Sequence, residues 1–374
     1  MGVLFEQVKI NKVSVPNRFV RSATYDGCAD KNGHVTDAQV ELFDKLASGG
    51  TGLIITGISY VQELGRISAF QNSVADDSSI PGLRRLADTV HERGAKIAVQ
   101  LFHAGREAAG FLKAKNLEAA GPSVIEDDPY FQSPYRSLND KEINEIIRAF
   151  AEAALRVKSA GFDGLQVHAA HGYLLSQFLS PYTNRRRDKL GGSLENRLRL
   201  HREIYQAVRE KVGSDFPVMI KIGVEDGFKG GLEFGEGCQA AQMLSEWGFD
   251  AIEISSGLRG NTYSETEFKT GINNAGREAY FRDWCREVKK LGSTPVMMVG
   301  GLRSFALMEE IVENRESDFI SLCRPLIREP DIVNAWKSGD IKKPACISCN
   351  KCLEALRKGE LLHCVQNRLQ KSRK

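Results

Sequence analysis

The segment KEINEIIRAFAEAALRVKSAGFDGLQVHAA, residues 141–170, contains one complete unit of the fold. Residues 141–160 place apolar side chains at helical spacing with charged side chains between them, as an amphipathic helix does. Gly161 follows directly, and glycine readily adopts the left-handed conformation that ends a helix. The apolar run 164–170 then has the length and composition of a strand covered on both faces. The segment therefore predicts a helix, a tight turn and a buried strand in succession.

Units of this kind recur along the chain. Residues 80–93 and 193–211 are further amphipathic stretches with charged faces. Short apolar runs alternate with such stretches at 17–23, 51–57, 96–102, 164–170, 217–223, 251–257, 295–301 and 319–325. Because strand and helix alternate eight times, the pattern predicts an α/β fold, a closed (β/α)8 TIM barrel.

The chain is longer than a usual single domain, but barrels of this type commonly exceed 250 residues or so. We expect the barrel in residues 1–340 and a short cysteine-rich C-terminal tail in 341–374. Residues 103–139 carry little helical period and are rich in proline, serine and aromatic residues. Such a long connection is usually a lid or a binding loop, so this segment is expected to be an insert after the third strand.

The composition is that of an ordinary globular protein, with 42% hydrophobic and 26% charged residues. A net charge of +3 gives no indication of nucleic acid or a membrane surface as a partner. The start, MGVLFEQVKINKV, lacks the apolar core of a signal peptide, and Glu6 stands where a myristoylation motif needs Ser or Thr. No apolar run approaches the ~18 residues of a spanning helix. These features predict a cytoplasmic protein.

Polar residues at the strand ends are the candidates for the active site, since barrel enzymes place their chemistry there. Strand one runs into Ala23, Thr24 and Tyr25, strand three carries Gln100 and strand five carries Lys221. His168, His171 and Tyr173 follow strand four, Gly300 and Gly301 end strand seven, and Cys323 and Arg324 end strand eight.

The ends of strands seven and eight indicate a phosphate site. Paired glycines let backbone N–H groups approach a phosphate, and the planar fork of Arg324 can pair with it. The alternative for Gly300 and Gly301 is a tight turn. Gln100 offers both a donor and an acceptor to a flat heterocycle. Lys221 is either a cation beside a flavin or a catalytic base or Schiff-base amine, and the residues alone leave both open.

His168 and His171, three residues apart, permit three interpretations. They are metal ligands, donors to a carbonyl or anionic oxygen, or packed core residues. A metal would need a third ligand, and no Asp or Glu lies at the exit of strand four. Tyr173 is a candidate proton donor, with packing beneath a loop as its alternative.

Four of the eight cysteines crowd into the tail as Cys346-x2-Cys349-x2-Cys352-x11-Cys364. Four thiolates at this spacing suit either an iron–sulfur cubane or a structural zinc. Three interpretations stay open: a [4Fe–4S] cluster, a structural metal such as zinc, and free thiols. The remaining cysteines are most simply packing residues.

The segment HAAHGYLLSQFLSPYTNRRRDKLGGSLENRLR, residues 168–199, closely resembles the signature region of the Old Yellow Enzyme family of NADH:flavin oxidoreductases. So do PNRFVRSAT near the start, QLFHAGR at 100–106, the VGG turn at 299–301 and Arg324. The match covers nearly the whole chain in order and its central motif is long and specific.

The resemblance implies that FMN lies across the barrel mouth. Ala23, Thr24 and Tyr25 would contact its N5/O4 edge, Ile58 would join the cofactor contacts, and Gln100 and Lys221 would bind its pyrimidine edge. Gly300, Gly301, Cys323 and Arg324 would hold its phosphate. His168 and His171 would bind the carbonyl oxygen of an α,β-unsaturated substrate, and Tyr173 would protonate its α-carbon, with NAD(P)H as the source of hydride. Many members of the family have a Pro, and a Cys or Thr, in the segment aligned with Ala23, Thr24 and Tyr25, and several have Arg in place of Lys221.

CISCNKC, residues 346–352, resembles the cluster region that follows the barrel in 2,4-dienoyl-CoA reductase and trimethylamine dehydrogenase. Those larger relatives pass electrons to a further nucleotide-binding region, and no G-x-G-x-x-G unit follows the tail here. The resemblance thus leaves three functions: an ene-reductase, a flavin and iron–sulfur dehydrogenase or demethylase of an amine-type substrate, and a non-catalytic electron-transfer module. A redox partner protein and a homo-oligomer both fit the resemblance. The physiological substrate and the choice between NADH and NADPH cannot be predicted from the sequence.

Overall fold

The protein is described by a computed structural model that covers residues 2–262 and 266–367. Eight of its strands form one parallel sheet that closes on itself, because Phe19–Arg21 pairs with the last strand on one side and with Leu53–Tyr60 on the other. The strands in chain order are β1 (Val8–Ile10), β2 (Val13–Val15), β3 (Phe19–Arg21), β4 (Leu53–Tyr60), β5 (Asn72–Ser73), β6 (Lys96–Phe102), β7 (Ala120–Gly121), β8 (Arg136–Ser137), β9 (Gly164–Ala169), β10 (Val218–Gly223), β11 (Ile252–Ser255), β12 (Val296–Met298) and β13 (Phe319–Leu322).

Around the barrel, helices follow most of the strands. The helices in chain order are α1 (Asp37–Ser48), α2 (Ile80–Glu92), α3 (Ala109–Lys113), α4 (Asp140–Ser159), α5 (Leu174–Leu179), α6 (Leu194–Val212), α7 (Phe234–Trp247), α8 (Arg282–Lys290), α9 (Phe305–Glu313), α10 (Arg324–Arg328), α11 (Ile332–Lys337) and α12 (Lys351–Arg357). None of the helices in the described ranges combines the length and apolar character that a membrane crossing requires.

The predicted (β/α)8 barrel is confirmed, and each of the eight predicted apolar runs overlaps one barrel strand, although β4 extends three residues beyond the run 51–57. The predicted helix over 141–160 is α4, which begins one residue earlier because Asn139 caps it. Asn139 Oδ1 accepts a hydrogen bond from Glu142 N, and Glu142 Oε2 accepts one from Asn139 N, both at 3.0 Å. Gly161 after it has φ +86°, as the turn prediction required.

Inward-facing side chains change character along the barrel axis. At the amino ends of the strands they are apolar and pack with Ile10 and Val15 of the β1–β2 hairpin, which closes that end. Because side chains alternate in and out along a strand, the next inward position lies two residues on. There apolar residues give way to polar ones, so that Ala98 is followed by Gln100 and Met219 by Lys221. The carboxyl end of the barrel is therefore polar inside.

The insert 103–139 is partly ordered into α3 and the parallel pair β7–β8 rather than being a plain loop. Its apolar residues pack with Phe102 in a separate small cluster, against which Tyr173 also packs. A buried ion pair fixes the insert, with Arg106 Nη1 2.6 Å from Asp128 Oδ2. The insert thus supports the active-site end of the barrel from one side.

The described part of the tail lies over the barrel mouth. Leu362 N donates to Asp26 O at 3.1 Å, beside the end of β3. On the other side, Arg303 Nη2 donates to Pro344 O at 2.8 Å and Asn350 Nδ2 donates to Phe268 O at 2.7 Å. These contacts place α12 as a wall of the mouth, while the predicted boundary between residues 340 and 341 stays a prediction.

Candidate active site

A cavity of about 270 Å³ opens at the carboxyl ends of the barrel strands. The structure brings together at this cavity all thirteen barrel residues predicted from the sequence, although their roles stay predictions. These residues are Ala23, Thr24, Tyr25, Ile58, Gln100, His168, His171, Tyr173, Lys221, Gly300, Gly301, Cys323 and Arg324. Among the described residues that line it, none comes from the insert 103–139.

Register between neighbouring strands explains why these residues meet. A register irregularity in β4 between Ile55 and Ile58 places Ile58 opposite Gln100 of β6. In the pair formed by β9 and β10, Lys221 of β10 lies beside His168 of β9. Residues 42 or 53 positions apart in the chain are thereby held side by side.

The floor of the cavity is a buried hydrogen-bonded row. Gln100 Nε2 donates to Gln166 Oε1 at 2.7 Å, and Gln166 Nε2 donates to Glu253 Oε2 at 2.9 Å. Lys221 Nζ lies 3.4 Å from the same carboxylate oxygen and donates to Ser22 Oγ at 2.9 Å. Two side chains that face the cavity, an amide and an ammonium, are thus held in fixed positions.

Both histidines are neutral donors or acceptors at the cavity wall. Burial, together with the positive charge of Lys221, lowers the pKa of His168 and of His171 well below the usual value. Ala170 N donates to His168 Nδ1 at 3.2 Å, so the proton of the neutral His168 ring resides on Nε2. His171 Nε2 lies 2.8 Å from Ser255 Oγ. The two rings pack edge to face, with their centroids 4.9 Å apart.

Tyr173 stands beside the histidines with its hydroxyl near a cation. Its ring packs edge-on against Phe102, and its hydroxyl accepts a hydrogen bond from Arg259 Nη2 at 3.5 Å. Arg259 is itself paired with Glu267, with Nη2 2.6 Å from Oε1. Burial raises the pKa of Tyr173, while the Arg259 charge opposes that increase. The phenol is therefore protonated at neutral pH and next to a group that would stabilise its anion.

The glycine pair and Arg324 form a separate corner of the cavity. Gly300 and Gly301 have φ +120° and +72°, and a Cβ at Gly300 would lie 2.8 Å from the ring of Tyr280. Their lack of side chains thus serves both the tight turn and the close approach of Tyr280. Arg324 Nη1 donates to Asn350 Oδ1 at 2.5 Å and to Lys269 O at 2.9 Å. The buried hydroxyl of Ser321, which also lines the cavity, has no hydrogen-bond partner among the described residues.

Several lining residues were missed by reasoning from the sequence. Arg259, Glu267 and Tyr280 belong to the long connection between β11 and α8, which has no regular period to mark them. Glu253 had a detectable signal, because it is a lone carboxylate inside the apolar run 251–257. Glu253 is completely buried, at 0% exposure, where a carboxylate is rare unless it is paired and hydrogen-bonded.

The tail cysteines share a small cavity of about 20 Å³ next to the main one. Cys346, Cys349, Cys352 and Cys364 all line it, and Cys346 and Cys352 also line the main cavity. Burial raises the pKa of the Cys346 and Cys352 thiols. Within residues 2–262 and 266–367, however, no three His, Cys, Asp or Glu side chains converge closely enough to hold a metal ion. The predicted metal site is therefore not confirmed.

The residues present fit FMN, which is a flat heterocycle that carries a phosphate. The amide and ammonium of the floor match a heterocycle edge, and a glycine turn and an arginine line a separate corner of the cavity. Fold and site together define a (β/α)8 barrel enzyme with its active site at the carboxyl ends of the strands.

The chain belongs to the NADH:flavin oxidoreductase / NADH oxidase family, whose sequence profile matches residues 3–342. It is 35% identical over 371 residues to a metal reductase of Desulforamulus reducens, covering 98% of this chain and 54% of that protein. It is 36% identical over 353 residues to an NADH oxidase of Thermoanaerobacter brockii, covering 93% of this chain and 52% of that protein. The chain thus spans about half the length of these curated relatives. An NADPH dehydrogenase of Listeria monocytogenes is 35% identical over 337 residues, which are 88% of this chain and 93% of that protein.

Solved structures agree with the family assignment. A 2-naphthoyl-CoA reductase superposes with a TM-score of 0.88 at 29% identity, covering 97% of this chain and 56% of the other. Histamine dehydrogenase from Rhizobium sp. 4-9 superposes with a TM-score of 0.85 at 27% identity, covering 97% and 52%. Both matches extend beyond the barrel into the tail region, because they cover more of the chain than residues 3–342 do.

Proposed function

We propose that this protein is an FMN-dependent oxidoreductase that reduces the C=C bond of α,β-unsaturated carbonyl compounds with hydride from NAD(P)H. The observation that carries the proposal is the grouping of three side chains on one wall of the cavity. His168 and His171 are neutral hydrogen-bonding groups, and Tyr173 is a protonated phenol 5.1 Å from the His168 ring, centroid to centroid. A carbonyl acceptor and a proton donor are what this reaction needs.

The cofactor would be held by groups on the floor and in the glycine corner. Gln100 and Lys221 would bind the pyrimidine edge of the ring, and Ala23, Thr24, Tyr25 and Ile58 would contact the rest of it. Gly300, Gly301, Cys323 and Arg324 would hold the phosphate. When bound, FMN supplies the group that accepts hydride from NAD(P)H and passes it to the substrate.

The chain's own contribution to the chemistry is to polarise the substrate and to deliver a proton. The Nε2–H of His168 would donate to the carbonyl oxygen of the substrate, and His171 would donate to the same oxygen. The two hydrogen bonds would draw electron density from the alkene. Each such donor would lower the barrier by roughly 3–4 kcal/mol, as donors to an oxyanion do. Tyr173 would then give its proton to the α-carbon, with the Arg259 cation beside the resulting phenolate.

The proposal is tested by anaerobic mixing. The yellow holoenzyme is reduced with NADH or NADPH under argon, and cyclohexenone is then added in excess. Bleaching by NAD(P)H followed by recolouring with the enone, together with formation of cyclohexanone, is the expected result. A reduced protein that stays bleached with every enone but reoxidises with a general electron acceptor would contradict the assignment.

A second candidate is oxidation of an amine-type substrate, which the similarity to histamine dehydrogenase favours. In that reaction the substrate would reduce the flavin and no carbonyl would be present for the histidines. Bleaching of the oxidised holoenzyme by an amine in the absence of NAD(P)H would support this candidate. The protonated phenol and the two neutral imidazoles favour carbonyl recognition.

For the tail we propose a metal site, with a [4Fe–4S] cluster as first choice and zinc as second. Four thiols that line one small cavity support it, although their side chains do not converge in this structure. A bound metal would lower the pKa of these thiols, because only the thiolate coordinates it. Iron, acid-labile sulfide and zinc are to be measured on anaerobically purified protein. The absence of all three would leave free thiols.

A further inference from the structure

Glu253 is a carboxylate that the proposed chemistry does not use and that lies directly beneath the floor of the cavity. It is completely buried in β11, and in the sheet register it lies beside Lys221 of β10. Its Oε2 atom accepts from Gln166 and lies 3.4 Å from Lys221 Nζ. Its Oε1 atom has no hydrogen-bond partner among the described residues.

Such an arrangement is costly for the fold. A buried carboxylate requires an ion pair and filled hydrogen-bond positions to offset its desolvation, and here one oxygen is left without a partner. A glutamine at 253 could accept the same hydrogen bond from Gln166 without burying a charge. The negative charge itself therefore needs an explanation other than packing or hydrogen bonding.

The position of Lys221 supplies that explanation. Its ammonium group lines the cavity on one side and meets Glu253 on the other, and its Nζ also contacts Ser22. A cation at the cavity floor favours negative charge on whatever ring lies above it, and a carboxylate behind the cation weakens that effect.

We propose that Glu253 is a positioning residue and counter-charge that limits how strongly Lys221 stabilises the negative charge FMN gains on reduction. The inference rests on the proposed function, because it takes FMN to lie over Lys221. Glu253 thereby keeps the reduced cofactor a stronger hydride donor than Lys221 alone would permit. Through Gln166 it also fixes the orientation of the Gln100 amide at the same edge.

The test is a charge cycle on the two residues, read out as the midpoint potential of the bound flavin and as its affinity for sulfite. Glu253→Gln leaves Lys221 uncompensated, so the potential should rise and sulfite should bind about tenfold more tightly. Lys221→Met leaves the carboxylate uncompensated, so both quantities should change in the opposite direction. The double variant Lys221→Met/Glu253→Gln buries no charge and should return both quantities close to those of the unaltered protein.

Glu310→Gln is the matched control, because Glu310 is an exposed carboxylate on α9 whose partner is Arg282. It should change neither quantity. If Glu253→Gln fails to fold or to retain flavin, the comparison of Lys221→Met with the double variant still measures the effect of the carboxylate. Equal midpoint potentials for Lys221→Met and for the double variant would overturn the inference. Failure of the unaltered protein to bind FMN would instead overturn the proposed function.

Discussion

The Tyr173 hydroxyl lies 3.5 Å from Nη2 of Arg259, and the guanidinium carbon of Arg259 lies 5.4 Å from the centre of the same phenol ring. The two residues are 86 positions apart and meet only because the connection after β11 folds back over the end of β9. A proton donor next to a fixed cation becomes a better acid, since the cation stabilises the phenolate that remains.

Replacing Tyr173 by Phe should slow reoxidation of the reduced enzyme by an enone about 100-fold, because the proton donor is lost. Reduction of the enzyme by NAD(P)H should stay within about twofold, since that step needs no proton from Tyr173. Stopped-flow measurement of both half-reactions checks this. Tyr205→Phe, which removes a hydroxyl that donates to Gly248 O on the outside of the barrel, is the control. Equal slowing of both half-reactions would contradict the assigned role.

Arg259→Gln should move the alkaline limb of the enone half-reaction to higher pH. The charged and titratable groups that act on Tyr173 are Arg259 and Glu267 from the connection after β11 and Glu107 from the insert, with His168 in contact from β9. Burial raises the pKa of the phenol and the Arg259 cation lowers it, so removal of the cation raises it further. Glu267→Gln removes the anion paired with that cation and should move the limb to lower pH. Shifts of the same sign in both variants would exclude this electrostatic role and leave a structural one.

Arg324→Gln should weaken FMN binding by about 10- to 100-fold while leaving riboflavin binding nearly unchanged, because only FMN carries the phosphate. Isothermal titration of the apoprotein with each flavin measures the difference. Arg324 also donates to Asn350 of the tail, so the substitution could loosen the tail as well. A loosened tail would weaken the binding of FMN and of riboflavin alike, whereas loss of a phosphate contact would weaken the binding of FMN alone. Arg282→Gln, on the outer helix α8, is the control.

Asp226 should make the free energy of unfolding fall as pH rises from about 4 to 7. Burial raises the pKa of this carboxyl to about 6, although Ser180 Oγ and two backbone N–H groups donate to it. The folded protein therefore binds the proton more tightly than the unfolded chain, and stability is lost as pH passes through the folded pKa. Relative to Asp226→Asn, which has no such ionisation, the loss should amount to about 3 kcal/mol across this range.

Urea unfolding of the two proteins at each pH provides the measurement. Exposed Asp215→Asn is the control and should show a difference from the unaltered protein that does not change with pH. A pH-independent difference for Asp226→Asn as well would show that the carboxyl has an ordinary pKa in the folded state.

The sequence by itself determined the barrel and the residues at the ends of its strands. Both depend on local information: the length of each apolar run, the period of each helix and the glycine after it. A polar residue near the end of an apolar run marks the carboxyl end of the strand, which is why Gln100, Lys221 and His168 could be expected at the cavity in advance. The long motif after strand four identified the family for the same reason, since it is one continuous segment.

Only the tertiary structure decided which distant segments meet at that end. Arg259 beside Tyr173, Glu253 beneath Lys221 and Asn350 on Arg324 join side chains from separate connections, strands and the tail. Closure of the barrel fixes these pairings, because the order and register of the strands bring residues together regardless of their separation in the chain. A charge that acts on a reactive group through space has no period or motif of its own, so its partner is visible only once the barrel is closed.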